Sequence, residues 1–141
     1  MLVSACLLGE PCRYDGNHKR YAGIEAALAG CEPVPVCPEE AGGLGTPRTA
    51  SECCGGDGAA VLAGTARVVA RDERTDRTAA FVSGARACLA RAPEAAWALL
   101  KEGSPSCGVN RTWIDGVQVQ GKGVFAALVA QAGIHARSEE G

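Results

Sequence analysis

Short apolar runs alternate along the chain with stretches of helical spacing. Leu2 to Leu8 is almost wholly apolar and ends at Gly9, which predicts a buried strand. Tyr21, Ile24 and Leu28 then recur at helical spacing up to Gly30, a helix stop. Pro33-Val34-Pro35-Val36 predicts a short second strand whose prolines suit an edge or an end. A glycine-rich loop is expected from there to about Gly58. Ala66 to Ala70 predicts another strand, after which Asp76 or Thr78 can cap a helix with Phe81, Ala85, Cys88, Leu89 and Ala92 on its apolar face and Pro93 at its end. Ala95 to Leu100 fits a strand or a helical turn, with the strand preferred. The Asp115-Gly116 step inside Trp113 to Val119 favours a tight hairpin, and Val124, Phe125, Leu128 and Val129 outline a last helix stopped by Gly133. The alternation predicts one α/β domain over residues 1–141, a mainly parallel sheet flanked by helices in Rossmann-like layers.

The bulk numbers narrow the function. A chain of 141 residues supports one domain with a real core, and 47% apolar against 21% charged residues argues against disorder. A formal charge of −2 lacks the basic excess that phosphate backbones demand, so no nucleic-acid partner is expected. No apolar run approaches the roughly 20 residues that span a bilayer, so no membrane partner is expected either. The segment Met1 to Cys6 lacks the basic and long apolar regions of a secretory signal, and a cytoplasmic location follows as the expectation. That location decides how the eight cysteines are read, because reduced thiols serve metals or catalysis more often than disulfides.

Three of them fall near predicted strand ends. Cys6 closes the first strand, Cys37 follows the second, and Cys107 lies beyond the Ala95 to Leu100 segment. Open parallel sheets gather ligands beyond the carboxyl ends of their strands, so the three could meet at one edge. Each also sits beside turn residues whose backbone N–H groups can point at sulfur. No CxxC pair is present, so zinc-ribbon and ferredoxin spacings are absent, and spacing alone leaves buried, idle thiols as an equal alternative.

Several runs resemble the 2-thiouracil desulfidase family: Val3-Ser4-Ala5-Cys6-Leu7-Leu8-Gly9, Cys12-Arg13-Tyr14-Asp15-Gly16-Asn17, Pro35-Val36-Cys37-Pro38-Glu39, Gly43-Leu44-Gly45-Thr46-Pro47-Arg48, Gly55-Gly56-Asp57-Gly58 and Ser104-Pro105-Ser106-Cys107-Gly108. The resemblance runs in order from about Val3 to the Gly123-Val124 helix. It implies an α/β domain with a 4Fe-4S cluster on Cys6, Cys37 and Cys107, one iron being left open for the sulfur of a small thiolated substrate such as 2-thiouracil. The implied reaction is non-redox: water replaces sulfur at carbon, and sulfide is released.

Such a reaction needs a group to activate water and donors for the charge that develops. Glu39, two residues after Cys37, is preferred over Glu40 as that group, and Ser104 over Ser106 as the donor or proton shuttle, on the strength of the resemblance. Cys12 is the rival ligand. Cys88 reads as a core residue and Cys31 as structural, while the adjacent Cys53 and Cys54 could be a sulfur acceptor, a redox pair or neither. Arg13, Asp15, Asn17 and Arg48 can contact a polar ring or the cluster loops. Gly55 to Gly58 reads as a tight turn sooner than a substrate cradle, Lys122 as a loop charge, and His18 and His135 lie outside the motifs. The alternative to an enzyme is a cluster-binding module for electron transfer or sulfur storage, which closure of the cluster by Cys12 would favour; a structural zinc domain is a third reading.

Overall fold

The computed structural model describes residues 1–141 and places two four-stranded sheets around a shared helical layer. The chain runs β1 (Leu2–Ser4), a 3-10 turn (Ala5–Leu8), α1 (Ile24–Leu28), β2 (Val34–Val36), α2 (Pro38–Ala41), β3 (Ser51–Cys54), α3 (Gly58–Leu62) and β4 (Arg67–Ala70). It continues through α4 (Thr78–Arg91), β5 (Trp97–Leu100), β6 (Arg111–Ile114), β7 (Val117–Gln120), α5 (Val124–Gln131) and β8 (His135–Ser138). One sheet, in the order β2-β1-β5-β8, is parallel throughout. The other, β4-β3-β6-β7, pairs β3 and β6 in parallel between two antiparallel neighbours. The expected α/β architecture is present, with its parallel sheet, and a second sheet accompanies it.

Burial explains the sequence of each element. Leu2, Val3 and Ser4 are all buried because β1 lies inside the parallel sheet with both faces covered, so the run is continuous instead of alternating. In α5, Val124 to Val129 are buried on every side, as befits a helix packed against α3, α4 and β8. Phe81, Phe125, Leu100, Val68 and Val36 belong to one apolar cluster that draws on both sheets and on α4 and α5. Asp115 and Gly116 adopt φ 50° and 84°, the paired left-handed conformation that a two-residue hairpin needs. No helix is long and apolar enough to cross a membrane.

Two expectations are revised, and one strand lies outside them. The strand expected from Leu2 to Leu8 ends at Ser4, where the chain coils into the 3-10 turn that carries Cys6. The expected glycine-rich loop contains α2 and β3, the former started by Pro38 at its first position and the latter carrying a buried Glu52. Strand β8 has no sequence signal because His135-Ala136-Arg137-Ser138 is a polar edge strand.

Helix α2 carries Glu39, and its position is fixed by a backbone-to-backbone approach. A Cβ on Gly84 of α4 would stand 1.9 Å from the Pro38 carbonyl oxygen, and one on Gly42 would stand 2.1 Å from that of Ala80. Glycine is required at both places because main chain, which cannot yield, occupies the space. Gly84→Ala therefore destabilises the protein by about 3 kcal/mol as an overpacking defect, although Gly to Ala within an exposed helix would stabilise by about 1 kcal/mol. Urea unfolding of the variant measures the sign, and a gain in stability would refute the close approach.

Candidate active site

The parallel sheet reverses its winding between β1 and β5: the chain leaves β1 toward β2 on one side, whereas β5 leads through α5 to β8 on the other. Loops diverge at such a point and leave a crevice beyond the strand ends. A cavity of about 550 Å³ opens there. Ser4 and Cys6 reach it from β1, Cys37 from the end of β2, and Lys101, Glu102 and the Ser104–Cys107 turn from β5, while Ser51, Arg71, Trp113 and Gln118 of the second sheet form the opposite wall. Ser4 Oγ accepts from Lys101 N at 2.9 Å, which ties the two strand ends together.

All three cysteines of the expected ligand set line this cavity, and so does Cys12. The four are free thiols. Burial pushes the Cys107 thiol up to about 12, against the pull of the Ser4 and Ser106 hydroxyls. Cys37 is raised by its hydrogen bond with Cys12 and then by burial, although the Glu40 N–H directed at its sulfur opposes both. Cys12 is lowered by Cys37 but raised by its hydrogen bond with Cys6 and by burial, and the net result is about 12. Desolvated thiols of this kind hold their protons until a cation replaces them. No group of three His, Cys, Asp or Glu side chains meets closely enough for a single metal ion. Zinc draws its thiolates to within about 2.3 Å of one point, so thiols spaced around a cavity suit a larger group, such as a cluster.

Glu39 also faces the cavity, on the first turn of α2. Its Oε1 accepts from Arg48 Nε at 3.0 Å and its Oε2 from Ser106 Oγ at 3.1 Å. A carboxylate has about four lone-pair positions, so one on each oxygen stays available to a ligand. Ser104 Oγ accepts from the backbone N–H of Ser106 and of Cys107, each at 3.1 Å, so its own proton is free only for Ser106 Oγ, 2.9 Å away. The chain of donation therefore runs Ser104 to Ser106 to Glu39. Ser106, weighed second in the sequence, is the serine in direct contact with the carboxylate, and Ser104 acts one step behind it. Glu40 bonds to the Thr46 hydroxyl and lies outside this cavity.

The remaining expected residues divide. Arg13, Asp15 and Arg48 line the cavity, whereas Asn17 supports the Arg13–Asn17 turn from outside it. Asp57 caps α3, its Oδ1 accepting from Ala59 N and Ala60 N and its Oδ2 from Lys122 N, so Gly55 to Gly58 is a structural turn. Lys122 Nζ donates to the Val109 carbonyl and so has a partner. Cys53 and Cys88 are buried in the core, Cys31 is exposed, and Cys54 faces Arg74; none reaches the cavity. His18 accepts from Arg20 N and His135 packs edge-on against Trp97, both away from the site.

Sequence reasoning passed over Ser4, Arg71, Lys101, Glu102 and Trp113. Arg71 lies over the Trp113 ring, 4.4 Å from its centroid. Only the Lys101-Glu102 pair carried a usable signal, a charged step directly after an apolar strand.

The family model of 2-thiouracil desulfurase matches residues 1–141. The chain belongs to the 2-thiouracil desulfurase family. It is 42% identical over 144 residues to the uncharacterised protein YbbK of Bacillus subtilis (strain 168), covering 99% of this chain and 95% of that one. Its fold superposes with TM-score 0.81 on a solved 4Fe-4S-dependent thiouracil desulfidase, TudS, at 40% identity, covering 99% of this chain and 90% of that one. The family resemblance read from the motifs is thus borne out over the full length.

Glu102 organises the loop that carries Cys107. Its Oε1 accepts from the backbone N–H of Gly103, Val109, Asn110 and Arg111, and its Oε2 from Asn110 Nδ2. Burial alone would raise this carboxyl, but the donors outweigh it and bring it from 4.5 to about 2. A depressed folded-state value adds stability that is complete above pH 4.5 and is lost as the pH falls toward 2. Glu102→Gln should cost about 2–3 kcal/mol at neutral pH, the worth of hydrogen bonds to a charged acceptor. Urea titrations from pH 7 to pH 2.5 should show the gap between wild type and variant closing below pH 4.5; a gap independent of pH would refute the charged role.

Proposed function

We propose that the protein removes sulfur from a small thiolated heterocycle such as 2-thiouracil, using a 4Fe-4S cluster held by Cys6, Cys37 and Cys107. The observation that carries the reading is the meeting of these thiols with the Glu39–Ser106–Ser104 chain on one cavity, where Glu39 keeps lone pairs unspent. Family membership and the relation to TudS support it. With one iron free of protein ligands, the cluster supplies a soft Lewis acid for the substrate's sulfur.

The protein's own groups account for the rest of the hydrolysis. Glu39, fixed by Arg48 and Ser106, accepts a proton from water as its oxygen attacks the thiocarbonyl carbon. Ser106 holds the carboxylate's second oxygen and, backed by Ser104, offers a route by which that proton moves toward the departing sulfur. The carbon–sulfur bond breaks, a carbonyl replaces the thiocarbonyl, and sulfur leaves as sulfide with no change in oxidation state. The two walls serve different ends of the substrate. Strand ends of the parallel sheet address the sulfur, and Arg71, Trp113 and Gln118 face the distal side of the ring.

The test is sulfide and uracil release from 2-thiouracil by protein whose cluster has been rebuilt without oxygen. Cys107→Ala should lose iron and activity together. Glu39→Gln should retain iron while its turnover falls at least ~100-fold, the range of general acid–base catalysis. A Glu39→Gln variant as active as wild type would remove the carboxylate from the reaction, and a stable cluster that releases no sulfide in wild type would favour the electron-transfer or sulfur-storage module.

A further inference from the structure

The proposed chemistry leaves one coordination position without a protein thiol, yet the fold places a fourth thiol beside it. Cys12 is 6% exposed, lines the same cavity as Cys6, Cys37 and Cys107, and packs in one cluster with Cys6 and Cys37. Its main chain is held in the site from two directions. The Cys12 carbonyl accepts from Arg48 Nη2 at 3.0 Å and from Cys37 Sγ at 3.7 Å. Four of the chain's eight cysteines thus surround one cavity, and the other four lie elsewhere. Cys12 also belongs to the smaller apolar cluster with Ala5, Leu7 and Ile24, and within that cluster it is grouped with the thiols of Cys6 and Cys37.

We propose that Cys12 is a reversible fourth ligand, occupying in the resting protein the position that the substrate's sulfur takes during turnover. The proposal rests on the functional reading above and adds a regulation of that site. The main chain at Cys12 is fixed by Arg48 and by its own N–H to the Glu10 carbonyl, so its sulfur approaches and withdraws by rotation about the Cα–Cβ bond. On binding, the Cys12 S–H bond breaks, its proton passes to solvent and an iron–sulfur bond forms. On arrival of substrate, that bond is exchanged for one to the substrate's sulfur and Cys12 takes a proton back. No electrons are transferred. The resting site is closed against oxidants, and opening it requires a ligand that competes as a soft sulfur donor.

Two measurements on the full-length, anaerobically reconstituted protein test this. The first follows iron content and the paramagnetic three-iron signal during mild ferricyanide oxidation. Wild type should lose its fourth iron at least ~10-fold more slowly than Cys12→Ala, in keeping with the effect of removing a group that secures a metal site. The second uses wild type alone and does not depend on the folding of a variant: iodoacetamide labelling is mapped by mass spectrometry, with exposed Cys31 as the internal standard. Cys12 should be protected in the resting protein and become labelled when excess 2-thiouracil is added, while Cys6, Cys37 and Cys107 stay protected. Equal iron loss in wild type and Cys12→Ala, or Cys12 labelling unchanged by 2-thiouracil, overturns the proposal and leaves the functional reading intact. Failure of wild type to take up iron removes both.

Discussion

The buried contact between Arg48 and Glu39 holds together four segments that share no local structure. The pair is 3.0 Å apart, with side chains only 6% and 11% exposed. Arg48 also donates to the Gly45 carbonyl, the Thr46 hydroxyl and the Cys12 carbonyl, while Glu39 accepts from Ser106. One guanidinium therefore positions its own loop, the Cys12 segment, helix α2 and, through Glu39, the turn that bears Cys107. Desolvating two charges consumes most of what their attraction gains, so such a pair contributes little net stability; losing one partner costs about 3–5 kcal/mol because the other is left buried and uncompensated. Its consequence is geometric. The planar fork of Arg48 and the hydroxyl of Ser106 take opposite oxygens of Glu39, and the carboxylate can turn in only one way toward the cavity.

Two buried carboxylates in this site have opposite roles, and the difference is set by how their lone pairs are spent. Glu102 receives five N–H donors, four of them from backbone and all four on Oε1, and keeps a single position on Oε2. Glu39 receives two and retains space on the side that lines the cavity. Five donors make Glu102 a structural anchor for the Cys107 loop, and Glu39, with one donor on each oxygen, is the freer of the two for a ligand. The same count separates the serines: Ser104 spends its acceptor positions on the backbone of its own turn, which directs its proton to Ser106 and leaves Ser106 to face the carboxylate.

Much of this architecture is legible in the sequence where a pattern is local. Strands β2, β4 and β5, the hairpin at Asp115-Gly116, and helices α4 and α5 follow from apolar periodicity and from turn residues, and the structure has them close to the expected positions. Elements whose pattern is set by tertiary contacts were not legible. Ser51-Glu52-Cys53-Cys54 has no alternation because Glu52 is buried and neutralised by Arg74 and Arg71 from across the sheet. Helix α2 is four residues long, too short to show a period, and exists because Gly84 admits it against α4. In the site, the six ordered motifs identified the family, and five of the six contribute residues to one cavity; the order of donation within that cavity depends on partners as far as 67 positions apart, as for Ser106 and Glu39. No local reading supplies that distance.

Charge follows the same non-local logic. The chain as a whole carries −2, yet the cavity is lined by Arg13, Lys19, Arg48, Arg71, Lys101 and Arg111 against Asp15, Glu39 and Glu102. Two of those cations are committed to the C-terminal segment, Lys101 to Glu139 and Arg111 to Glu140, and Arg48 is committed to Glu39. Arg13 and Lys19 remain to set the local field, and Arg71, over the Trp113 ring, shares its charge with Glu52 at 3.7 Å. A site built from cysteines gains negative charge as each thiol gives up its proton, and low-dielectric walls make that charge expensive unless cations stand near it. The fold meets this requirement by bringing its uncommitted cations to the one cavity where thiols collect, so a chain that is acidic overall presents a basic lining where its chemistry needs one.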